Sequence, residues 1–152
     1  MRLRCVSFIA LALSAGLSAQ PRAWSFEDYG PGRIQLDGLY APAIGAAGAV
    51  FADREEDFIA AWQGFVQAIG QHLKDGGFVW GRPTRCFLRV YFDACGMVDR
   101  FLYAFPEDAI TKEQATRFHA LLNGFLAENA FPLSAKEPFS QCGPAVFRDA
   151  EP

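Results

Sequence analysis

The stretch that most limits what this chain can become is TRCFLRVYFDACGMVDRFLYAF, residues 84–105. β-Branched and aromatic residues crowd both sides of Asp93-Ala94-Cys95-Gly96, a turn cluster ending in glycine, so the segment predicts two strands joined as a hairpin. Along the first strand Cys86, Leu88, Val90 and Phe92 alternate with Phe87, Arg89, Tyr91 and Asp93, which assigns the first set to a core and the second to the opposite face. The second strand, 97–105, carries Val98, Phe101, Leu102 and Tyr103 without clean alternation, the pattern of a bulge or of burial on both sides. A lone hairpin is not stable in water, so the rest of the chain must supply a third strand and helices.

The flanking sequence meets that demand. Asp53 with Glu56 three residues on reads as a capping pair, and Phe58, Trp62, Phe65, Val66, Ile69 and Leu73 then recur at three- and four-residue steps until Gly76-Gly77. After the hairpin and Pro106, Thr111 with Gln114 forms a second capping box, followed by the stripe Phe118, Leu121, Leu122, Phe125 and Leu126. The tail holds Pro132, Pro138 and Pro144, which leaves 145–148 as the last strand. The predicted fold is therefore α+β: a small three-stranded antiparallel sheet packed by two helices, in the order α-β-β-α-β. If the last strand lies beside the first and antiparallel to it, Cys95 comes near Cys142. A different entry of the tail would pair Cys86 with Cys142 instead.

Residues 1–19 read as a signal peptide: Arg2 and Arg4, an apolar run from Val6 to Leu17, and small residues before Gln20. The run is too short for a membrane span. Residues 20–52, rich in Gly, Pro and Ala, form an irregular lead-in whose most strand-like part is Arg33-Ile34-Gln35-Leu36, and Trp24, Phe26, Tyr29 and Tyr40 are suited to pin it onto a domain at 53–149. Losing Arg2 and Arg4 moves the formal charge from −3 to −5. With its basic residues scattered, such a chain has no phosphate-binding surface, so nucleic acid is excluded as a partner. Export, to periplasm or medium, leaves Cys86, Cys95 and Cys142 in an oxidising compartment, where one disulfide and one spare thiol is the simplest account. Such a bridge contributes about 2 to 4 kcal/mol.

The element order, with YFDACGMV at the hairpin and an amphipathic helix after it, resembles the C-terminal domain of TonB-like energy transducers, whose hairpins carry a Gly two residues before an apolar strand position. Here those positions are Gly96 and Val98, and the likeness covers about 53–148. It implies the fold. The chain departs from that family in lacking a retained transmembrane anchor and a Pro-rich linker, and its cysteines are no part of the resemblance, so energy coupling does not carry over.

Catalytic and cofactor motifs are missing: there is no GxSxG elbow, HExxH helix, phosphate loop, dinucleotide turn or EF-hand. No cofactor and no metal is expected. His72 and His119 sit beside helical stripes without ligand-spaced partners. The acidic run Asp53, Glu55, Glu56 and Asp57 is what a helix start favours, and Asp93 and Asp99, which could bracket a calcium ion, are explained by turn chemistry. The hairpin's outer face, with Phe87, Arg89, Tyr91 and Leu102, is the candidate binding surface. These residues suggest an exported, non-catalytic protein-binding or structural module that uses a sheet edge or this aromatic face. The alternative is a secreted enzyme or small-molecule carrier, for which a polar pocket around His72, His119 or a free thiol would speak.

Overall fold

The computed structural model describes residues 22–149; the expected signal peptide, 1–19, lies outside the described residues. In chain order the elements are β1 (Ala23–Ser25), α1 (Phe26–Tyr29), a 3-10 turn (Gly30–Gly32), α2 (Arg33–Asp37), β2 (Ala41–Pro42), α3 (Glu55–Asp75), β3 (Thr84–Phe92), β4 (Val98–Ala104), α4 (Lys112–Glu128) and β5 (Phe139–Phe147). They build one mixed five-stranded sheet in the order β1-β4-β3-β5-β2.

That sheet corrects the expected three-stranded antiparallel one. The antiparallel centre is present, with β3 paired to β4 on one side and to β5 on the other. What the sequence concealed is that the lead-in contributes a strand to each edge, β1 parallel to β4 and β2 parallel to β5. These strands have three and two residues, too few for alternation to register. Arg33-Ile34-Gln35-Leu36, expected as a strand, lies in helix α2. The last strand is longer than 145–148 and includes Pro144, which sits opposite Phe87 on a stretch that β2 does not reach. On an open edge a residue without an N–H leaves no ladder partner unsatisfied.

Helix α3 begins at Glu55 after Arg54, whose side chain caps nothing, so Asp53 and Glu56 do not form the expected pair; the first turn is still acidic, with Glu55, Glu56 and Asp57. Its end is a Schellman motif. Gly77 adopts φ +74°, its N–H reaches the carbonyl of Lys74, and Phe78 N–H reaches that of Leu73, which satisfies carbonyls the helix would otherwise orphan. Helix α4 starts with the predicted box: Thr111 Oγ1 accepts from Gln114 N–H at 3.1 Å while Gln114 Oε1 accepts from Thr111 N–H at 2.9 Å.

Both long helices lie on the inner face of the sheet. Phe58, Phe65, Ile69 and Leu73 of α3 and Phe118, Leu122, Phe125 and Leu126 of α4 are buried against Cys86, Leu88, Val90 and Phe92. Eleven phenylalanines are buried, so the aromatic excess is core. Phe92 alone meets Phe131 and Phe139 at 4.9 Å and Phe65 at 5.9 Å between ring centroids, edge-to-face and offset contacts that add to area burial. A bulge falls between Tyr91 and Phe92. Beyond it the hairpin turn is clamped by the loop before β5, since Gly96 O accepts from Phe131 N–H at 2.8 Å. Gly96 must be glycine here: its φ is +88°, and a Cβ would come within 2.6 Å of the Phe131 carbonyl oxygen. Among the described residues no helix is long and apolar enough to cross a membrane.

Candidate functional site

The outer face of the hairpin is covered by the chain itself. Asp37, at the end of α2, accepts hydrogen bonds through Oδ1 from Arg89 Nε (2.9 Å), Arg89 Nη2 (2.6 Å) and Tyr91 Oη (2.6 Å). The Tyr40 ring packs edge-on to Tyr91 at 5.0 Å, and its hydroxyl donates to Asp99 at 3.0 Å. Phe26 lies 5.8 Å from Phe87, and Arg100 sits over Trp24. Of the four candidate binding residues, Tyr91 and Leu102 are fully buried under this cover, Arg89 is held by Asp37, and Phe87 is 42 % exposed. Burial, and the acceptance of its proton by the Asp37 carboxylate, push the Tyr91 phenol up to about 12.

The cysteines correct the expected disulfide: Cys86, Cys95 and Cys142 are all free thiols. Cys86 belongs to the inner face, whereas Cys142 sits opposite Arg89 and so shares the outer one, which rules out a Cys86–Cys142 bridge. Cys95 lies beyond Phe92 in the turn, three strand positions and a bend past Arg89. At roughly 3.3 Å per strand residue, that separation exceeds the span of about 4.4 to 6.8 Å between the Cα atoms of a disulfide. Burial pushes the Cys86 thiol up to about 12, so it is an inert core group. Asp93 and Asp99 are likewise occupied, Asp93 by the turn's N–H groups at Cys95 and Met97 and Asp99 by Tyr40. Among the described residues no group of His, Cys, Asp and Glu could hold a metal ion.

His119 is set in a cavity. Strand β1 ends at Ser25, opposite Tyr103, and the chain then turns into α1. The end of β4 is thus left without a neighbour on that side, and a cleft of about 650 Å³ opens between α1, Ala104-Phe105 and α4. Phe26, Phe105, Ile110 and Ala115 supply apolar walls; Ser25, Asp28, Tyr103 and His119 supply the polar groups. That volume falls in the range of small-molecule sites.

Its polar groups are held in a fixed order. Asn123 Oδ1 accepts from the backbone N–H groups of Arg22 (2.7 Å) and Ala23 (3.1 Å), which ties β1 to α4 and turns the amide nitrogen toward His119. That nitrogen lies 3.1 Å from His119 Nε2 and 3.0 Å from the His119 carbonyl oxygen. An amide nitrogen only donates, so Nε2 accepts and the network assigns the proton of a neutral ring to Nδ1. Nδ1 is 3.2 Å from Tyr103 Oη. Burial and the nearby Asp28 and Cys86 push the Tyr103 phenol up to about 12, so it keeps its proton. Ser25 Oγ donates to Asp28 Oδ2 at 2.6 Å while accepting from Asp28 N–H at 3.0 Å.

Sequence reasoning weighed His119 but missed its setting. The Ser25-x-x-Asp28 spacing was the available signal, a helix start hidden in a segment taken as irregular. Nothing in the sequence pointed to Asp37 or to the pairing of Tyr103 with α4. Fold and cleft define a small α+β domain with an organised polar cavity. No protein-family model, no curated protein and no solved structure matches the chain.

Proposed function

We propose that this is an exported binding protein without a catalytic role, and that its site is the cleft between α1, the end of β4 and α4. The carrying observation is that the chain's own lead-in buries Tyr91 and Leu102, while the cleft beside it stays open and is lined by ordered polar groups. A small-molecule carrier fits this arrangement better than a module that docks proteins on the hairpin face. The sheet edge favours the same reading, because Pro144 interrupts the donors of β5 where that strand is open, a feature that discourages strand addition. Binding without catalysis accounts for the committed histidine: both ring nitrogens of His119 have partners, and a general base needs a nitrogen free to take a proton. Export rests on Arg2, Arg4, the apolar run and the small residues before Gln20. The resemblance to TonB-like C-terminal domains bears on fold alone and adds no partner.

The test is a small-fragment screen by protein NMR on a chain beginning at Gln20. Binders are expected to shift the amides of 25–28, 103–105 and 110–119, and Ala115→Trp, which fills the cleft, is expected to abolish those shifts. Fragments that map instead to the β5 edge, or that bind Ala115→Trp as well as the parent, would refute the cleft. Recovery of the protein from the cytoplasm alone, with Met1 intact, would count against export; recovery from the medium with Met1 intact would count against cleavage of 1–19.

A further inference from the structure

The chemistry of the cleft restricts what it can hold. Its lining includes two carboxylates, Glu27 and Asp28, and no Lys or Arg. Arg33 and Arg89 line a neighbouring hollow that shares Phe26 and Ala104 with the cleft, Arg33 lying over the Phe26 ring and Arg89 paired with Asp37. An anionic ligand would therefore meet like charge from the cleft's own lining, whereas an ammonium group would be attracted. Asp28 uses Oδ2 for Ser25, and its second oxygen remains available at the rim.

A second, independent feature lies deeper. Tyr103 is 6 % exposed, and its oxygen accepts from Nδ1–H of His119 under the tautomer that Asn123 imposes. The phenolic hydrogen is then not used in that bond. No other protein acceptor for it is found among the described residues, and a buried donor left without a partner is unfavourable. The group lines the cleft, so a ligand oxygen placed there would complete it.

Building on the cleft as the binding site, we propose that its ligand is a small amphipathic amine that also carries an oxygen acceptor: ammonium toward Asp28 and Glu27, apolar body between Phe26, Phe105 and Ile110, oxygen on the Tyr103 hydroxyl. Rings of this kind also attract a cation through their faces.

The experiment compares three probes by titration calorimetry and ligand-observed NMR on the chain beginning at Gln20. The probes are 2-amino-1-phenylethanol, its anionic counterpart mandelate, and phenethylamine, which lacks the hydroxyl. The amino alcohol is expected to bind at least about tenfold more tightly than mandelate, and to weaken as salt is raised. Glu27→Gln and Asp28→Asn, which remove charge at matched shape, are each expected to weaken it about threefold to fivefold, the scale of an exposed ion pair. Tyr103→Phe should erase the advantage of the amino alcohol over phenethylamine while leaving phenethylamine binding in place. Because that substitution also removes a partner of His119, its melting temperature is measured alongside. If it fails to fold, equal binding of the amino alcohol and phenethylamine to the parent protein decides against the hydroxyl contact. Mandelate binding in the cleft as tightly as the amino alcohol overturns the inference and leaves the cleft intact as a site. Absence of cleft binding by all three overturns this inference, and binding by none of the fragments in the wider screen overturns the site itself.

Discussion

The two faces of the sheet are closed in different ways. On the inner face, α3 and α4 press a continuous layer of rings against β3, with Phe92 touching three other phenylalanines. On the outer face, a thin strap from Ser25 to Tyr40 crosses the hairpin and is fixed by two carboxylates, its own Asp37, shared between Arg89 and Tyr91, and Asp99 of β4, which accepts from Tyr40. The inner layer depends on area and shape, which carry no charge for salt to screen. The outer one depends on a few directional polar contacts, one of them an ion pair whose side chains are 25 % and 44 % exposed. A cover of the second kind can stop short of the sheet's edge, and where it stops, beside Ala104, the cleft begins.

That contrast can be broken most forcefully from the inside. Phe92→Ala removes a fully buried ring at the centre of the aromatic layer and should lower stability by about 3 to 5 kcal/mol, measured by urea denaturation. A loss comparable with that of an exposed position would mean the inner layer is not the core. Asp37→Ala acts on the other face and should cost less, about 1 to 2 kcal/mol. The partly exposed ion pair is worth little in itself, and most of the loss comes from the acceptor withdrawn from the Tyr91 hydroxyl. An effect near that of Phe92→Ala would make the strap as important as the helices.

Alkaline pH sharpens the comparison further. Tyr91 and Tyr103 are raised from 10.0 to about 12 in the folded chain, so the unfolded chain ionises first. Their contribution is complete below pH 10 and is lost as pH rises through 12. The buried Cys86 thiol, raised from 9.0 to about 12, adds to the same loss, so denaturation midpoints should hold from pH 7 to 9 and fall between 9 and 12, and the fall should shrink in Tyr91→Phe. A midpoint that is flat across that interval would remove the argument that these phenols are buried and protonated.

How much of this was legible beforehand depended on length and partnership. The long periodic segments announced themselves: the stripes of α3 and α4, the Thr111–Gln114 box, the alternation of β3, and in β4 the broken alternation expected of a bulge or of burial on both sides. Short elements did not, because β1, β2, α1 and α2 have too few residues for a period to emerge. Asp53 misled for a related reason, since an acidic run offers several cap positions and the chain uses none of their side chains. The alternation of β3 put Phe87, Arg89 and Tyr91 on one face, yet Tyr91 is covered by Asp37 and Tyr40, more than 50 positions away in sequence, while Phe87 stays 42 % exposed beside Phe26. The cleft was less visible still. It exists because one strand ends at Ser25 and another continues to Ala104, a difference of register that no single segment encodes.

The central claim is that the hairpin's aromatic face is closed by the chain's own lead-in while the cleft beside it stays open. Hydroxyl-radical footprinting of the folded chain, read residue by residue by mass spectrometry, tests it directly. The account predicts that Tyr91 and Leu102 are protected to the level of core residues such as Phe92, that Phe87 and Val146 are modified, and that adding a cleft ligand protects Phe26 and Phe105 without changing Tyr91. Modification of Tyr91 and Leu102 at the rate of exposed Phe87 would contradict it, because the strap would then not be the cover of that face.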